Sequence, residues 1–225
     1  MRRRSVARIA IPALGILLGG GVITTEKVIS SKIASRVEQQ LPNASGISAS
    51  IPLLDIPSDL NSDEIKAVQI DIEEYLLKGS GTKTSLAISA KNISKSKPTQ
   101  IGSLDITTTI PVFKLLEDSG FNDAEIVDNA LQISVGASGL GKALLVPKYA
   151  NNQIFFQIKS ISFMGSPIPA SSLPADIQEQ IKSRSVKDLT VPKGLKVKSV
   201  SIGAEGLAVN FHGANIRLEN LAASL

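Results

Sequence analysis

The 225-residue chain has no cysteine, no tryptophan and a single histidine, and its only aromatic residues are six Phe and two Tyr. Each absence removes a class of chemistry. Without cysteine there are no disulfides, no thiolate nucleophile or metal ligand, and no acylated lipoprotein cysteine. A folded body must therefore be held by its core alone, for which about 200 residues suffice. Few aromatics and no tryptophan leave little for stacking on bases or sugars. With one histidine, any catalytic triad or metal site that needs imidazole must use His212.

Acidic residues are also missing before Glu26, while the first eight residues carry Arg2, Arg3, Arg4 and Arg8. Setting those four arginines aside leaves 20 basic residues against 20 acidic ones, so the formal excess of +4 belongs to the leader. A nucleic-acid binder needs a basic patch on its folded domain, and the body has no net charge from which to build one.

Ile9 to Ile23 contains no charge. Basic residues followed by an apolar stretch and then small residues form an export signal or a membrane anchor. The 17 uncharged residues from Ile9 to Thr25 would span about 25 Å as a helix, within the range of short spanning helices. No clear A-x-A cleavage site is present, which favours residues 1–25 as a retained anchor with the N-terminus cytoplasmic and the body outside. Cleavage before Val22, after Gly19 and Gly21, would instead release a secreted or periplasmic protein. Residues 26–225 are expected to form one domain.

Thr24 to Leu41 reads as an amphipathic helix, with Ile29, Ile33, Val37 and Leu41 at a spacing of four and Pro42-Asn43 as its end. After a Pro- and Ser-rich loop (Ile51 to Asp59) the period changes to two. Val68, Ile70 and Ile72 alternate with polar residues, as do Leu86, Ile88 and Ala90; Leu104, Ile106 and Thr108; and Leu131, Ile133 and Val135. Ile154, Phe156 and Ile158, then Leu207, Val209 and Phe211, continue the pattern. Such runs are strands of an antiparallel sheet with one wet face. Short helices are expected from Pro111 to Asp118, which contains Leu116, and from Ser172 to Arg184. The class is α+β, without the regular βαβ alternation of a nucleotide-binding sheet.

Gly136-Ala137-Ser138-Gly139-Leu140-Gly141-Lys142 matches the spacing of a phosphate loop. Residue 143 is Ala where Ser or Thr should hold Mg²⁺, and Pro147 interrupts what should be a helix. A glycine-rich hairpin with a lysine on its tip accounts for the segment, and no nucleotide is expected. His212 lies in a strand pattern on the polar side beside Gly213, with no accompanying H-x-x-x-H or G-x-S-x-G signature. It reads as a solvated strand histidine. Glu73-Glu74, the one adjacent Glu pair, would point to opposite faces of a strand. No catalytic residue, metal or cofactor is expected.

The C-terminal pattern carries a resemblance. Leu189-Thr190-Val191-Pro192-Lys193-Gly194-Leu195-Lys196-Val197, then Val200-Ser201-Ile202, then Glu205-Gly206-Leu207-Ala208-Val209 and Gly213 form a Pro-Gly-Leu turn, a strand, a Gly-Leu turn and a second strand. Upstream, the anchor runs into an apolar helix, Ile51-Pro52-Leu53-Leu54 forms a proline-containing loop, and Pro169 to Ile181 forms a Leu-Pro helix element. In this order the chain resembles the LmeA-like phospholipid-binding proteins of the bacterial cell envelope. It departs from them at Leu53-Leu54, where the family carries an aromatic. The resemblance implies a tubular, bactericidal/permeability-increasing-like fold: a curved antiparallel sheet wrapped around a long helix, preceded by the N-terminal transmembrane or signal helix. It also implies a non-catalytic, membrane-tethered or exported lipid-binding protein whose partner is a phospholipid or other acyl lipid at the membrane, with a role in envelope lipid or lipoglycan maintenance.

The apolar lining would then come from Ile29, Ile33 and Val37 on the helix. Ile70, Ile72, Leu86, Ile88, Leu104, Ile106, Leu116, Leu131, Ile133, Phe156, Ile158, Leu207, Val209 and Phe211 would complete it. The same alternation also fits a structural or partner-binding envelope domain with a solid core. An exported hydrolase using His212 is a third reading.

Overall fold

The structure is a computed structural model describing residues 26–51, 63–76, 81–96, 98–111, 114, 124–135, 140–175, 178, 179, 181, 183 and 186–217. The expected leader, the loop around Leu53-Leu54, Gly136 to Gly139 and most of the expected helix after Pro111 lie outside these residues. Pro111 itself ends a strand, and of the helix expected there only Lys114 is described, in helical conformation.

Helix α1 (Glu26–Gln40) forms where the four-residue spacing places it. Ile33 and Val37 are buried on one side of it, Glu38 and Gln39 are exposed, and the helix packs against strand β1 (Ala44–Ser50). Its last turn closes with Leu41 N–H donating to the Val37 carbonyl, after which Pro42 ends the helical register.

The remaining strands are β2 (Glu64–Leu76), β3 (Lys83–Ser94), β4 (Gln100–Pro111), β5 (Glu125–Val127), β6 (Ala130–Val135) and β7 (Gly141–Ala150). They continue with β8 (Gln153–Phe163), β9 (Ser166–Ile168), β10 (Lys187–Asp188), β11 (Lys196–Gly203) and β12 (Gly206–Arg217). They form two sheets, one in the order β1-β2-β3-β4-β12-β11 and the other in the order β10-β8-β7-β6-β5, with β9 paired to β8. Of the later helix, Ala175, Gln178, Glu179, Ile181 and Ser183 are helical, and Gln178 N–H donates to the Pro174 carbonyl at 3.2 Å.

These sheets correct the expected architecture. No long helix is wrapped by a curved sheet among the described residues; the protein is dominated by antiparallel strands. The physical reason lies in α1 itself. A helix enclosed by a sheet must be apolar all round, and α1 carries Lys27, Lys32, Arg36 and Glu38 among its few aliphatics. It can bury one narrow side, and it does so beside the edge strand β1.

The chain separates into two compact units. One comprises Thr109–Thr190 with Ser199–Val209 and contains the whole of the second sheet; the other comprises the described residues up to Thr108, Val191–Lys198 and those from Asn210. In the latter, β2 and β3 pair from Glu64↔Ser94 to Leu76↔Lys83, with a register shift between Ile72 and Tyr75. That shift breaks strict alternation at Glu73 and Glu74, so both are exposed, and Glu74 pairs with Lys83 at 2.8 Å. In the former, three two-residue turns connect consecutive strands with both residues at positive φ: Asp128-Asn129, Asn151-Asn152 and Met164-Gly165. Two left-handed residues in a row twist as the flanking strands do, which is why Asn, Asp and Gly dominate such hairpins.

Candidate functional site

The structure seals the expected lipid-lining residues rather than opening them. Ile33, Val37, Ile70, Ile72, Leu86, Ile88, Leu104, Ile106, Leu131, Ile133, Phe156, Leu207, Val209 and Phe211 are all buried, none more than 8% exposed, while Ile158 is half-buried. Leu116 and the side chain of Ile29 lie outside the described residues. The fourteen buried residues are divided between the two units, so they do not converge on one shared surface.

A different set of residues forms an open groove of about 890 Å³ within the unit that holds the second sheet. Val146, Pro147, Lys148 and Lys159 contribute from β7 and β8, Thr109 from the end of β4, and Asn129 from the β5–β6 turn. The β11–β12 hairpin supplies residues 200–206 and Ala208. The groove follows from strand lengths. Pairing of β6 with β7 stops at Leu131↔Leu145, whereas β7 continues to Ala150 against β8. Beyond Leu145, β7 has a neighbour on one side only. Pro147, which cannot donate to a ladder, is tolerated there because no strand pairs on that side. Val146, Pro147 and Lys148 occupy this unpaired stretch.

Across the groove, the β11–β12 hairpin reverses at Ala204-Glu205 and enters β12 through Gly206 at φ +145°. A Cβ at Gly206 would fall on the Ile110 carbonyl oxygen, so only glycine lets β12 begin this close to β4. Val146, Pro147, Val200, Ile202, Ala204 and Ala208 are the groove's apolar members; Lys148, Lys159 and Glu205 are charged and exposed. Neither lysine makes a salt bridge with a described residue. The surface is thus apolar in its walls and cationic on the β7–β8 side. None of these positions was expected as a site. The available signal was charge: from Asn129 to Ala175 the sequence has Lys142, Lys148 and Lys159 and not one Asp or Glu.

The phosphate-loop candidate resolves as a hairpin. Gly141 and Lys142 open strand β7, with Ser134↔Lys142 in register, and the Lys142 ammonium donates to the Ser134 hydroxyl at 3.2 Å. No helix N-terminus follows the glycines, so backbone N–H groups do not converge on a phosphate site.

His212 has a partner that sequence spacing could not show. Its Nδ1 lies 2.9 Å from an Asp105 carboxylate oxygen, and Lys198 Nζ is 3.9 Å from the same oxygen. Asp105 on β4 and His212 on β12 belong to neighbouring strands, and the Thr107–Asn210 side-chain bond repeats the juxtaposition two residues along. The His212 and Asp105 side chains are 44% and 41% exposed, where ion pairs contribute little. A His–Asp pair is two parts of a triad; here the other ring nitrogen bonds no described hydroxyl. No group of three or more candidate metal ligands occurs among the described residues.

No helix among the described residues is long and apolar enough to cross a membrane. No protein-family model, curated protein or solved structure matches this chain.

Proposed function

We propose that the chain is a non-catalytic lipid-binding protein of the cell envelope, tethered to the membrane or exported. Its ligand is an anionic amphiphile such as a phospholipid, held in the groove between β7–β8 and the β11–β12 hairpin. The observation that carries this reading is the groove itself: about 890 Å³, with aliphatic walls and Lys148 and Lys159 on one side. Small-molecule sites occupy roughly 300–1,000 Å³ and combine apolar walls with a few placed polar groups. Each methylene buried there contributes about 0.8 kcal/mol, so a partly buried acyl chain is retained without a dedicated charged pocket. The two ammonium groups then favour an acidic headgroup over a neutral one. The resemblance to LmeA-like proteins lends support to the ligand class only, because the tubular fold it implied does not stand.

A second reading, a structural or partner-binding domain with a solid core, draws on the fourteen sealed aliphatics. Native mass spectrometry of protein purified without detergent separates the two. Lipid binding predicts adducts of phospholipid mass and uptake of a fluorescent phospholipid. Bare protein with no uptake would leave the solid-core reading.

A further inference from the structure

Most of the large apolar side chains that remain in water are gathered at one end of the second sheet. Leu140 is 52% exposed, Phe163 45% and Met164 76%. They are neighbours: Met164 N–H donates to the Leu140 carbonyl at 3.3 Å, and Gly141 pairs with Phe163. The β6–β7 and β8–β9 connections therefore end side by side in an apolar tip. Folding alone gives no reason for it. Met164 also holds φ at 47°, in a turn position that Asn, Asp or Gly fills with less strain, as Asn does in the two other two-residue turns of this sheet. A residue that is both exposed and disfavoured by its backbone points to a role outside the fold.

The charge around the tip says what it meets. Lys142 follows Gly141 at the same end and is exposed. It belongs to the run from Asn129 to Ala175 that carries three lysines and no carboxylate. The acidic residue at the β5–β6 pairing, Glu125, faces Gln132 three positions before the end of β6 and is already bonded by the Gln132 amide at 2.6 Å. An apolar tip beside cationic side chains is complementary to an anionic bilayer, whose headgroups attract lysines while its acyl boundary accepts Leu, Phe and Met. Two turn ends are small beside the roughly 800 Å² per partner of a stable protein interface, which argues against a protein as the occupant.

We infer that Leu140, Phe163 and Met164 insert into the interfacial layer of an anionic lipid bilayer, with Lys142 at the level of the lipid phosphates. This docking does not require that a lipid occupy the groove.

The absence of cysteine permits a direct test on the full chain. Met164→Cys carries an environment-sensitive fluorophore as the sole label, with Ala150→Cys, exposed at the far end of β7, as the reference. Both proteins are reconstituted in vesicles of phosphatidylcholine and phosphatidylglycerol with brominated acyl chains. Insertion predicts a blue shift and bromine quenching at position 164 and neither at 150. Equal, unquenched emission at both sites would overturn the proposal. So would a blue shift at 164 that appears without vesicles and grows with protein concentration, since a second copy would then cover the tip. Quenching as strong in pure phosphatidylcholine would remove the anionic requirement. A Leu140→Cys label keeps Phe163 and Met164 intact and should be quenched likewise, and adding Phe163→Ser to it should reduce that quenching.

Discussion

Tyr75 shows how one buried group sets a stability limit. It sits on β2 just past the register shift, opposite Thr84, and is only 4% exposed. Burial raises its phenol above the ordinary value of 10, because the phenolate would be poorly solvated there. The folded state therefore holds this proton to higher pH than the unfolded chain does. Its contribution is full below about pH 10 and is lost as pH climbs from there through the raised folded value. No hydrogen bond joins the Tyr75 hydroxyl to another described residue, so Tyr75→Phe should change stability at pH 7 by less than about 1 kcal/mol. Above about pH 10 the variant should be the more stable protein. Urea midpoints of the two proteins between about pH 7 and pH 11 measure this; parallel curves throughout that range would show that Tyr75 ionises equally in both states.

Turns and strand ends, one scale up, decide what the second sheet exposes. Asn151-Asn152 and Asp128-Asn129 supply side chains that tolerate a left-handed backbone, whereas Met164-Gly165 places a long apolar residue in the same position. An L-residue in that conformation costs roughly 1–2 kcal/mol, less for Asn. Met164→Asn should therefore raise stability by about 1 kcal/mol, seen as a higher urea midpoint with an unchanged slope.

The same elements show what the sequence could and could not reveal. Alternation marked β2, β3, β4, β6, β8 and β12, because each has one sealed aliphatic face. It missed β1, whose Ala-Ser-Gly-Ile-Ser-Ala-Ser composition suits an edge strand with little to bury. It missed β7 because Pro147 reads as a strand breaker, and only the short pairing of β6 shows why a proline is harmless there. The Asp105–His212 contact joins residues far apart in sequence, and periodicity carries no information on which strands become neighbours. The groove was illegible for a related reason: it forms where a strand lacks a partner, and strand order, which no single segment encodes, determines that.

At the scale of the whole molecule, charge placement matters more than charge total. The body is formally neutral once the leader arginines are set aside, yet its acid-free run from Asn129 to Ala175 spans strands β6 to β9. Two of that run's three lysines, Lys148 and Lys159, face the groove, and the third stands beside the apolar tip. The opposing carboxylate in the groove is Glu205, on the β11–β12 turn. A neutral ligand would gain nothing from this arrangement, whereas an acidic headgroup placed on the β7–β8 side gains attraction from both ammonium groups. Exposed charge contacts contribute about 0.2–1 kcal/mol each. The double substitution Lys148→Glu with Lys159→Glu should therefore weaken uptake of fluorescent phosphatidylglycerol by at least about twofold. Uptake of the phosphatidylcholine analogue should be nearly unchanged, because the apolar walls are intact. The loss should shrink as salt approaches about 1 M, where screening acts within a few ångströms. Equal loss for both lipids would mean that the substitutions had altered the walls; no loss for either would place the headgroup elsewhere.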